Sequence, residues 1–263
     1  FAPRILGMAG LSDPRLGQVG IGIVNLLFTM AGLWMIDRAG RRTLLLIGSI
    51  GYIASLSVVA ATFHANEPAL RVASNAQALI HAEDKLQAAH EANGSGEVFD
   101  SLEANVARVR AEFVAAMNRE EYQGERFELR ESSSHEEVSH AANAASKEAI
   151  SLLGHGSFVV LLGIFAFIAS HAVGQGAVIW VLISEVFPNE HRAIGNSIGC
   201  GTHWIFAALI TLFFPLAVNN ILPSYIFSFF AGMMVLQLIW VLTMVPETKG
   251  VPLEEIQKRL GIV

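Results

Sequence analysis

Long apolar runs that contain no Asp, Glu, Lys or Arg recur along this chain, and they set its predicted architecture. The runs cover residues 16–36, 43–63, 157–184, 193–218 and 225–245. Each has about twenty residues or more, the length that an α-helix needs to cross the ~30 Å hydrocarbon core of a bilayer. The pattern therefore predicts five membrane-spanning helices. Residues 1–14 carry two prolines and are expected to form the end of an earlier element and a loop.

Residues 64–150 differ from the runs on both sides. Apolar positions recur there at helical spacing, which predicts an amphipathic helix around residues 72–86. After a break at residues 93–96, Val98–Glu121 predicts a second helix and His135–Ser151 a third. One face of the second helix carries Leu102, Val106, Val109, Phe113 and Met117. These faces are thin and rich in alanine, so we expect a small helical hairpin with a weak core.

Charge also separates this insert from its flanks. Residues 64–150 hold 8 Lys or Arg against 16 Asp or Glu, whereas the rest of the chain holds 9 against 7. The whole chain is 53% apolar, above the roughly 45–50% of soluble proteins. The composition thus predicts an acidic, water-soluble insert between membrane segments. The only cysteine is Cys200, which excludes an internal disulfide.

The insert also holds five of the nine histidines, at positions 64, 81, 90, 135 and 140. Their spacing matches no metal-ligand motif, so we expect them to be solvated rather than to bind a metal. No nucleophile–base pair and no phosphate-binding loop stands elsewhere in the chain. An enzyme is therefore the weakest reading, and no cofactor and no nucleic acid partner are expected.

Basic residues predict which ends of the spans face the cytoplasm. Three arginines lie in the short stretch Asp37–Arg42, Arg192 follows the third span, and Lys249 follows the last. The positive-inside rule places all three stretches, and residues 246–263 as a C-terminal tail, on the cytoplasmic side. The insert then lies outside. Trp34 and Trp240, near the ends of spans, are expected to anchor at the interface.

The first residues of the chain suggest that it is part of a longer protein. It begins with Phe rather than Met and shows no signal-peptide n-region or cleavage site. Five spans would also be an odd number for a complete carrier. We therefore expect a fragment of a multi-pass protein of the cell membrane.

Residues 174–192 combine flexibility with charge. Gly174 and Gly176 loosen the third span, and loosened helices are tolerated in membranes where they line a cavity. The stretch ends at Glu185, a Phe-Pro stop and Arg192, charges that can pair as a latch at the membrane edge. A cavity-lining segment joined to a latch indicates a transporter. The alternative is an ordinary membrane helix that ends at a proline.

Four motifs now stand in one order along the chain. They are Asp37-Arg38-x-Gly40-Arg41-Arg42, Gly176-x-x-x-Trp180, Glu185-x-Phe187-Pro188-x-x-x-Arg192 and Pro246-Glu247-Thr248-Lys249-Gly250. Together they resemble the sugar porter family of the major facilitator superfamily, the glucose- and xylose-transporter-like proteins. Phe1-Ala2-Pro3 resembles the end of the family's helix 7. The resemblance covers residues 1–63 and 152–263, the family's helices 8 to 12, and places the insert in the normally short outer loop between helices 9 and 10.

The resemblance implies an all-α membrane fold, the C-terminal half of a twelve-helix carrier with a helical outer insert. Residues 1–63 would hold the end of helix 7 with helices 8 and 9, and residues 151–245 helices 10 to 12. Substrate would bind near the midplane between two six-helix halves. By position, the implied sugar-binding residues are Asn25, Gly176, Trp180, His203 and Trp204.

Two of these positions carry separate expectations. Asn25 is an amide inside a span, which faces either a cavity or a neighbouring helix. His203 stands where the family has Gln or Asn, and its imidazole makes it a candidate pH-sensitive element. The family's Gly-Pro-Gly-Pro is replaced here by Gly174-Gln175-Gly176-Ala177, so we expect a softer helix break.

The resemblance also implies a cytoplasmic charge network, which we define as Asp37, Arg41, Glu185, Arg192 and Glu247. Such contacts would close the inner side of the carrier in one state and separate in the other. The alternative is that the arginines only signal topology. Each exposed pair is worth about 0–1 kcal/mol, which suits a switch between two states of similar energy.

The sequence therefore predicts a secondary carrier for a monosaccharide, either a symporter with a coupling proton or a facilitator. A different hypothesis is a membrane sugar sensor or partner-binding protein in which the outer insert, residues 64–150, binds an unknown partner. The cavity and latch residues favour the carrier.

Overall fold

The computed structural model describes residues 14–92, 96–129, 133–252 and 255 of the 263-residue chain. Every regular element in this part is an α-helix. The helices are α1 (Pro14–Ala39), α2 (Arg41–Ala65), α3 (Glu67–Glu91), α4 (Glu97–Met117), α5 (His135–Leu152), α6 (His155–Val173), α7 (Gln175–Val186), α8 (Arg192–Asn220) and α9 (Pro223–Met244). The predicted all-α fold class is confirmed. The family-like start at residues 1–3 and most of the C-terminal tail after residue 252 lie outside the described residues.

Five helical stretches are long and apolar enough to cross a membrane. They are Gly17–Ala39, Arg41–Ala65, His155–Val186, Arg192–Phe214 and Pro223–Met244. Their order and bounds follow the five apolar runs of the sequence within a few residues. The five predicted spans are therefore found at their predicted places.

The described residues form two compact units. The first, here called the membrane unit, consists of Arg15–Thr62 and the described residues from Val159 onward. The second, the insert unit, has Phe63–Phe158 as its main segment and includes the predicted insert, residues 64–150.

The third span is interrupted at Gly174, as the sequence predicted. Gly174 has φ −91° and ψ −102°, which are not helical values, and it separates α6 from α7. Its amide still donates to Ser170 and its carbonyl still accepts from Val178, both at 3.0 Å. The interruption is therefore confined to a single residue, in keeping with the absence of the family's prolines.

Close backbone approach holds this interruption against α2. A Cβ added to Gly48 would lie 3.0 Å from the Cα of Gly174 and 2.4 Å from the side-chain oxygen of Gln175. The Gln175 amide donates to Ser49 Oγ at 3.1 Å and lies almost fully buried. Small residues allow such approach where helices meet inside a membrane. The glycine at position 48 therefore fixes where the third span rests on α2.

An apolar cluster joins four helices of the membrane unit near one end. It takes residues from the end of α1, the start of α2, α7 and the end of α9, namely Ile36, Leu44, Leu45, Val178, Leu182, Val241 and Val245. Because these side chains are buried together, they fix the polar segments that follow α1 and α9. Two residues of the predicted charge network lie there, Arg41 at the start of α2 and Glu247 after the end of α9.

The insert unit has a denser core than the sequence suggested. Leu79 on α3, Phe113 and Met117 on α4, and Val138 on α5 are all less than 2% exposed. Ser134 caps α5 by accepting from the amide of Glu137 at 3.3 Å, while the Glu137 carboxylate accepts from the Ser134 amide at 2.8 Å. This reciprocal arrangement is the capping box.

The second insert helix ends at Met117, four residues before the predicted Glu121. Asn118 forms its C-cap, and the chain then turns through residues 118–121. An asparagine favours such a helix end because its side chain competes for backbone hydrogen bonds.

Candidate functional site

Gly40 lets a carboxylate cap the start of α2. Its φ of 93° lies in the left-handed region that glycine adopts without strain. A Cβ at this position would lie 2.4 Å from Glu247 Oε2, so only a glycine leaves room for that carboxylate. Glu247 Oε1 accepts from the Arg41 amide at 2.9 Å. An anion at a helix N-terminus satisfies a free N–H and interacts favourably with the helix dipole.

The side chain of Arg41 connects three segments of the chain. Its Nη2 lies 2.8 Å from Glu185 Oε1, and its Nη1 lies 3.2 Å from the exposed Asp37 carboxylate. The second Glu185 oxygen accepts from the Thr248 hydroxyl at 2.6 Å. Arg41 is 13% exposed and Glu185 24%, so the pair is partly shielded from water and stronger than a surface pair.

Four of the five predicted network residues thus meet, and Arg192 does not join them. Glu185 pairs with Arg41 rather than with the nearer-in-sequence Arg192. The Nε of Arg192 is buried without a hydrogen-bond partner among the described residues. Sequence reasoning did not single out Thr248, although it lies inside the Pro-Glu-Thr-Lys-Gly motif and is only 4% exposed.

Three of the predicted sugar-binding residues form a row of rings, here called the ring row: Trp180, His203 and Trp204. The His203 ring lies 5.1 Å from the Trp180 ring at an interplanar angle of 77° and 5.5 Å from the Trp204 ring at 80°. Trp180 is 41% exposed and Trp204 67%, so the row lies on an open face of the membrane unit. It offers apolar ring faces beside an imidazole that can donate or accept.

The two other predicted sugar-binding residues, Asn25 and Gly176, lie on α1 and α7. Asn25 is exposed on α1, and its amide makes no hydrogen bond to another described residue. Gly176 lies one turn before Trp180 on α7, where an added Cβ would be 3.2 Å from the Nε2 atom of His171. The lack of a side chain at position 176 therefore lets the His171 ring pack directly against α7.

Sequence reasoning missed His171 and Tyr52. The Tyr52 hydroxyl on α2 and His171 Nδ1 on α6 share a hydrogen bond. The only signal in the sequence was a histidine inside an apolar run, three residues before Gly174. An ionisable residue within a membrane span is expensive to bury and so points to function.

Trp34 lies on the surface of the membrane unit beneath a cation. It is 62% exposed, and the Arg38 guanidinium lies 4.2 Å from the centre of its ring. A cation over an indole face is a favourable electrostatic contact. It makes no ring contact with the row formed by Trp180, His203 and Trp204, which makes it a useful control for that row.

Five apolar spans joined by a charged network near one end define a multi-pass membrane protein. Residues 1–80 and 142–260 match the family model described as sugar (and other) transporter. The match covers well over half of the chain, and the chain therefore belongs to this transporter family. The predicted resemblance is confirmed, and most of the insert lies outside the match.

Curated relatives carry related names. The chain is 24% identical to the facilitated glucose transporter member 10 of solute carrier family 2 from Xenopus laevis, over 98% of this chain and 46% of the relative. It is 26% identical to the proton myo-inositol cotransporter of Homo sapiens, over 98% of this chain and 40% of the relative. A shorter match, 38% identical, joins 38% of the chain to 20% of probable polyol transporter 3 of Arabidopsis thaliana. The chain spans less than half the length of these relatives.

Proposed function

We propose that this chain forms the C-terminal part of a secondary carrier that moves a monosaccharide, a hexose or pentose, across a membrane by alternating access. The row formed by Trp180, His203 and Trp204, open on one face of a unit of the transporter family, is the observation that carries the proposal. The names of the relatives, which include glucose, inositol and polyol transporters, support this class of substrate. A carrier, and not an enzyme, is what we propose.

The chemistry of the ring row suits a sugar. A pyranose has an apolar C–H face and a rim of hydroxyls. An indole can cover the apolar face, while His203 and the exposed amide of Asn25 would satisfy hydroxyls on the rim. An unpaired buried hydroxyl would cost about 1–3 kcal/mol, so a sugar site needs several such partners.

In this proposal the charge network holds the inner side closed in one state. Arg41, Glu185 and Glu247 would part as the carrier opens inward, and Arg192 would find its partner outside the described residues. The termini of the spans that carry the network would face the cytoplasm, the insert would lie outside, and the protein would reside in the cell membrane. A coupling proton is compatible with the name of one relative, the proton myo-inositol cotransporter.

Trp204→Ala tests the proposal. In the full-length protein reconstituted into liposomes, we expect it to raise the KM for the transported sugar about fivefold, because a ring contact is worth about 0.5–1.5 kcal/mol. The measurement is uptake of a panel of labelled monosaccharides, with and without a proton gradient. The matched control is Trp34→Ala, which removes an exposed indole outside the ring row and should leave the KM unchanged. Equal effects of both variants would contradict the proposed site.

The compact insert unit supports one alternative, a membrane sugar sensor or partner-binding protein that acts through the insert. Deleting residues 66–148 and measuring uptake distinguishes the two functions. A carrier should retain uptake after the deletion. A sensor would show no uptake before or after it.

A further inference from the structure

His171 connects the interruption of the third span to α2. Its Nδ1 shares a hydrogen bond with the hydroxyl of Tyr52, a residue that is only 5% exposed. The Tyr52 ring lies 5.0 Å from the Phe167 ring and 6.1 Å from the His171 ring, between ring centres. The tyrosine is therefore held in place by packing, and its one polar atom depends on His171.

The other edge of the His171 ring packs against Gly176. The residue is exposed, and a Cβ at position 176 would lie only 3.2 Å from its Nε2. Two titratable side chains surround it in the described part of the chain. These are Tyr52 on α2 and His203 on α8, the latter close enough to interact electrostatically with His171. The helices α7 and α1 bring no described charged group to this ring.

We propose that His171 is a proton-binding site that makes the rate of the carrier depend on pH; this inference rests on the proposed function. While the imidazole is neutral, the Tyr52 hydroxyl can donate to an unprotonated Nδ1. When both ring nitrogens carry hydrogen, Nδ1 can only donate, so the hydroxyl hydrogen of Tyr52 loses its acceptor in a buried place.

Protonation therefore disturbs the contact between α2 and α6 directly before the interruption at Gly174. That interruption leads into α7, which carries Gly176 and Trp180 of the proposed sugar site. We expect sugar exchange to slow as pH falls through the range in which the His171 imidazole takes up its proton. Because one proton is bound, the rate of sugar exchange can fall by up to about tenfold per pH unit.

The test is equilibrium exchange of labelled sugar by the full-length protein in liposomes, with equal pH on both sides, between about pH 5 and 8. In the wild type we expect the exchange rate to fall at low pH, and this fall is here called the acid limb. His171→Asn keeps an acceptor for Tyr52 but does not titrate, so exchange should continue and the acid limb should disappear. Tyr52→Phe should keep the limb and shift its midpoint by about one pH unit. His155→Asn, at the start of the same helix α6, is the matched control and should keep the wild-type profile.

Two results would overturn the inference. One is an acid limb that survives in His171→Asn, and the other is a limb that disappears in His203→Gln but not in His171→Asn. If the wild type exchanges no sugar, the proposed function fails, and NMR of labelled histidines in nanodiscs still decides whether His171 titrates and responds to Tyr52→Phe. Should His171→Asn fail to fold, His171→Gln serves in its place.

Discussion

At the scale of single residues, Glu185 joins two distant parts of the chain within the charge network. Its two oxygens bind Arg41 and Thr248 from opposite ends of the chain. Glu185→Gln removes the charge but keeps the size, so we expect a loss of about 1–3 kcal/mol of stability, between the values of exposed and buried pairs. Thermal denaturation of the purified protein measures this loss. In transport assays the same variant should slow turnover more than it raises the KM.

The matched control is Arg192→Gln, because Arg192 has no ion pair with a described residue. Its melting temperature should stay close to that of the wild type. An equal loss of stability in the two variants would mean that Glu185 acts through general surface charge and not through its pair with Arg41.

Tyr122 in the insert unit provides a pH-dependent prediction. Burial, then the charges of Glu148 and Glu125, raises the pKa of Tyr122 from about 10 to about 12. Because the pKa is higher in the folded protein than in the unfolded chain, neutral Tyr122 contributes to the free energy of unfolding. This contribution is complete below pH 10 and is lost as pH rises from about 10 through about 12. Its hydroxyl has no hydrogen-bond partner among the described residues. Tyr122→Phe should therefore fold at neutral pH and unfold less readily than the wild type in this alkaline range, as followed by circular dichroism.

At the scale of elements, the contact between α2 and the interrupted third span depends on Gly48. The added methyl of Gly48→Ala would lie 3.0 Å from the Gly174 backbone, so the helices must move apart. We expect a loss of about 1–3 kcal/mol, as for overpacking elsewhere. The control is Gly232→Ala in α9, where an added methyl meets nothing within 4 Å. There the substitution should be neutral or stabilising by about 0.5–1 kcal/mol, because alanine favours helix.

Melting curves of both variants in one detergent decide the matter. If Gly48→Ala is as stable as Gly232→Ala, the glycine is not needed for the contact. Gly48→Ala should also displace the Gln175 side chain, because that side chain lies against Gly48 and donates a hydrogen bond to Ser49.

At the scale of the whole molecule, the insert unit should fold by itself. Three helices share a core, and Glu83, whose side chain is only 7% exposed, pairs with Arg110 at 2.8 Å and lies 3.6 Å from His135. We expect residues 66–152 expressed alone to be helical and to melt cooperatively. Glu83→Ala should lower their stability by about 1–3 kcal/mol, because the partly buried Arg110 loses a carboxylate partner.

Glu103→Ala is the matched control, since Glu103 is an exposed carboxylate on α4. It should change the stability by no more than about 0.5 kcal/mol. A fragment without a cooperative transition would show that the insert depends on the membrane unit for its fold.

The sequence by itself determined the five spans, the acidic insert and the family. Hydropathy and charge are properties of short stretches, and the bilayer sets a minimum helix length, so these features need no knowledge of distant contacts. The glycines and the Phe-Pro stop in the local sequence likewise predicted the interruption at Gly174 and the end of α7 before Pro188. The core of the insert was underestimated, since alanine-rich faces look thin until three helices share them.

Only the tertiary structure decided which residues meet. Nothing local pairs Glu185 with Arg41, 144 positions away, in preference to Arg192, or places Thr248 on the same carboxylate. The bond between Tyr52 and His171 likewise depends on how closely α2 and α6 approach. Gly51 on α2 and Gly163 on α6 permit that approach, because a Cβ at either position would collide with a side chain of the other helix. Packing distances of this kind are a property of pairs of helices and not of either sequence alone.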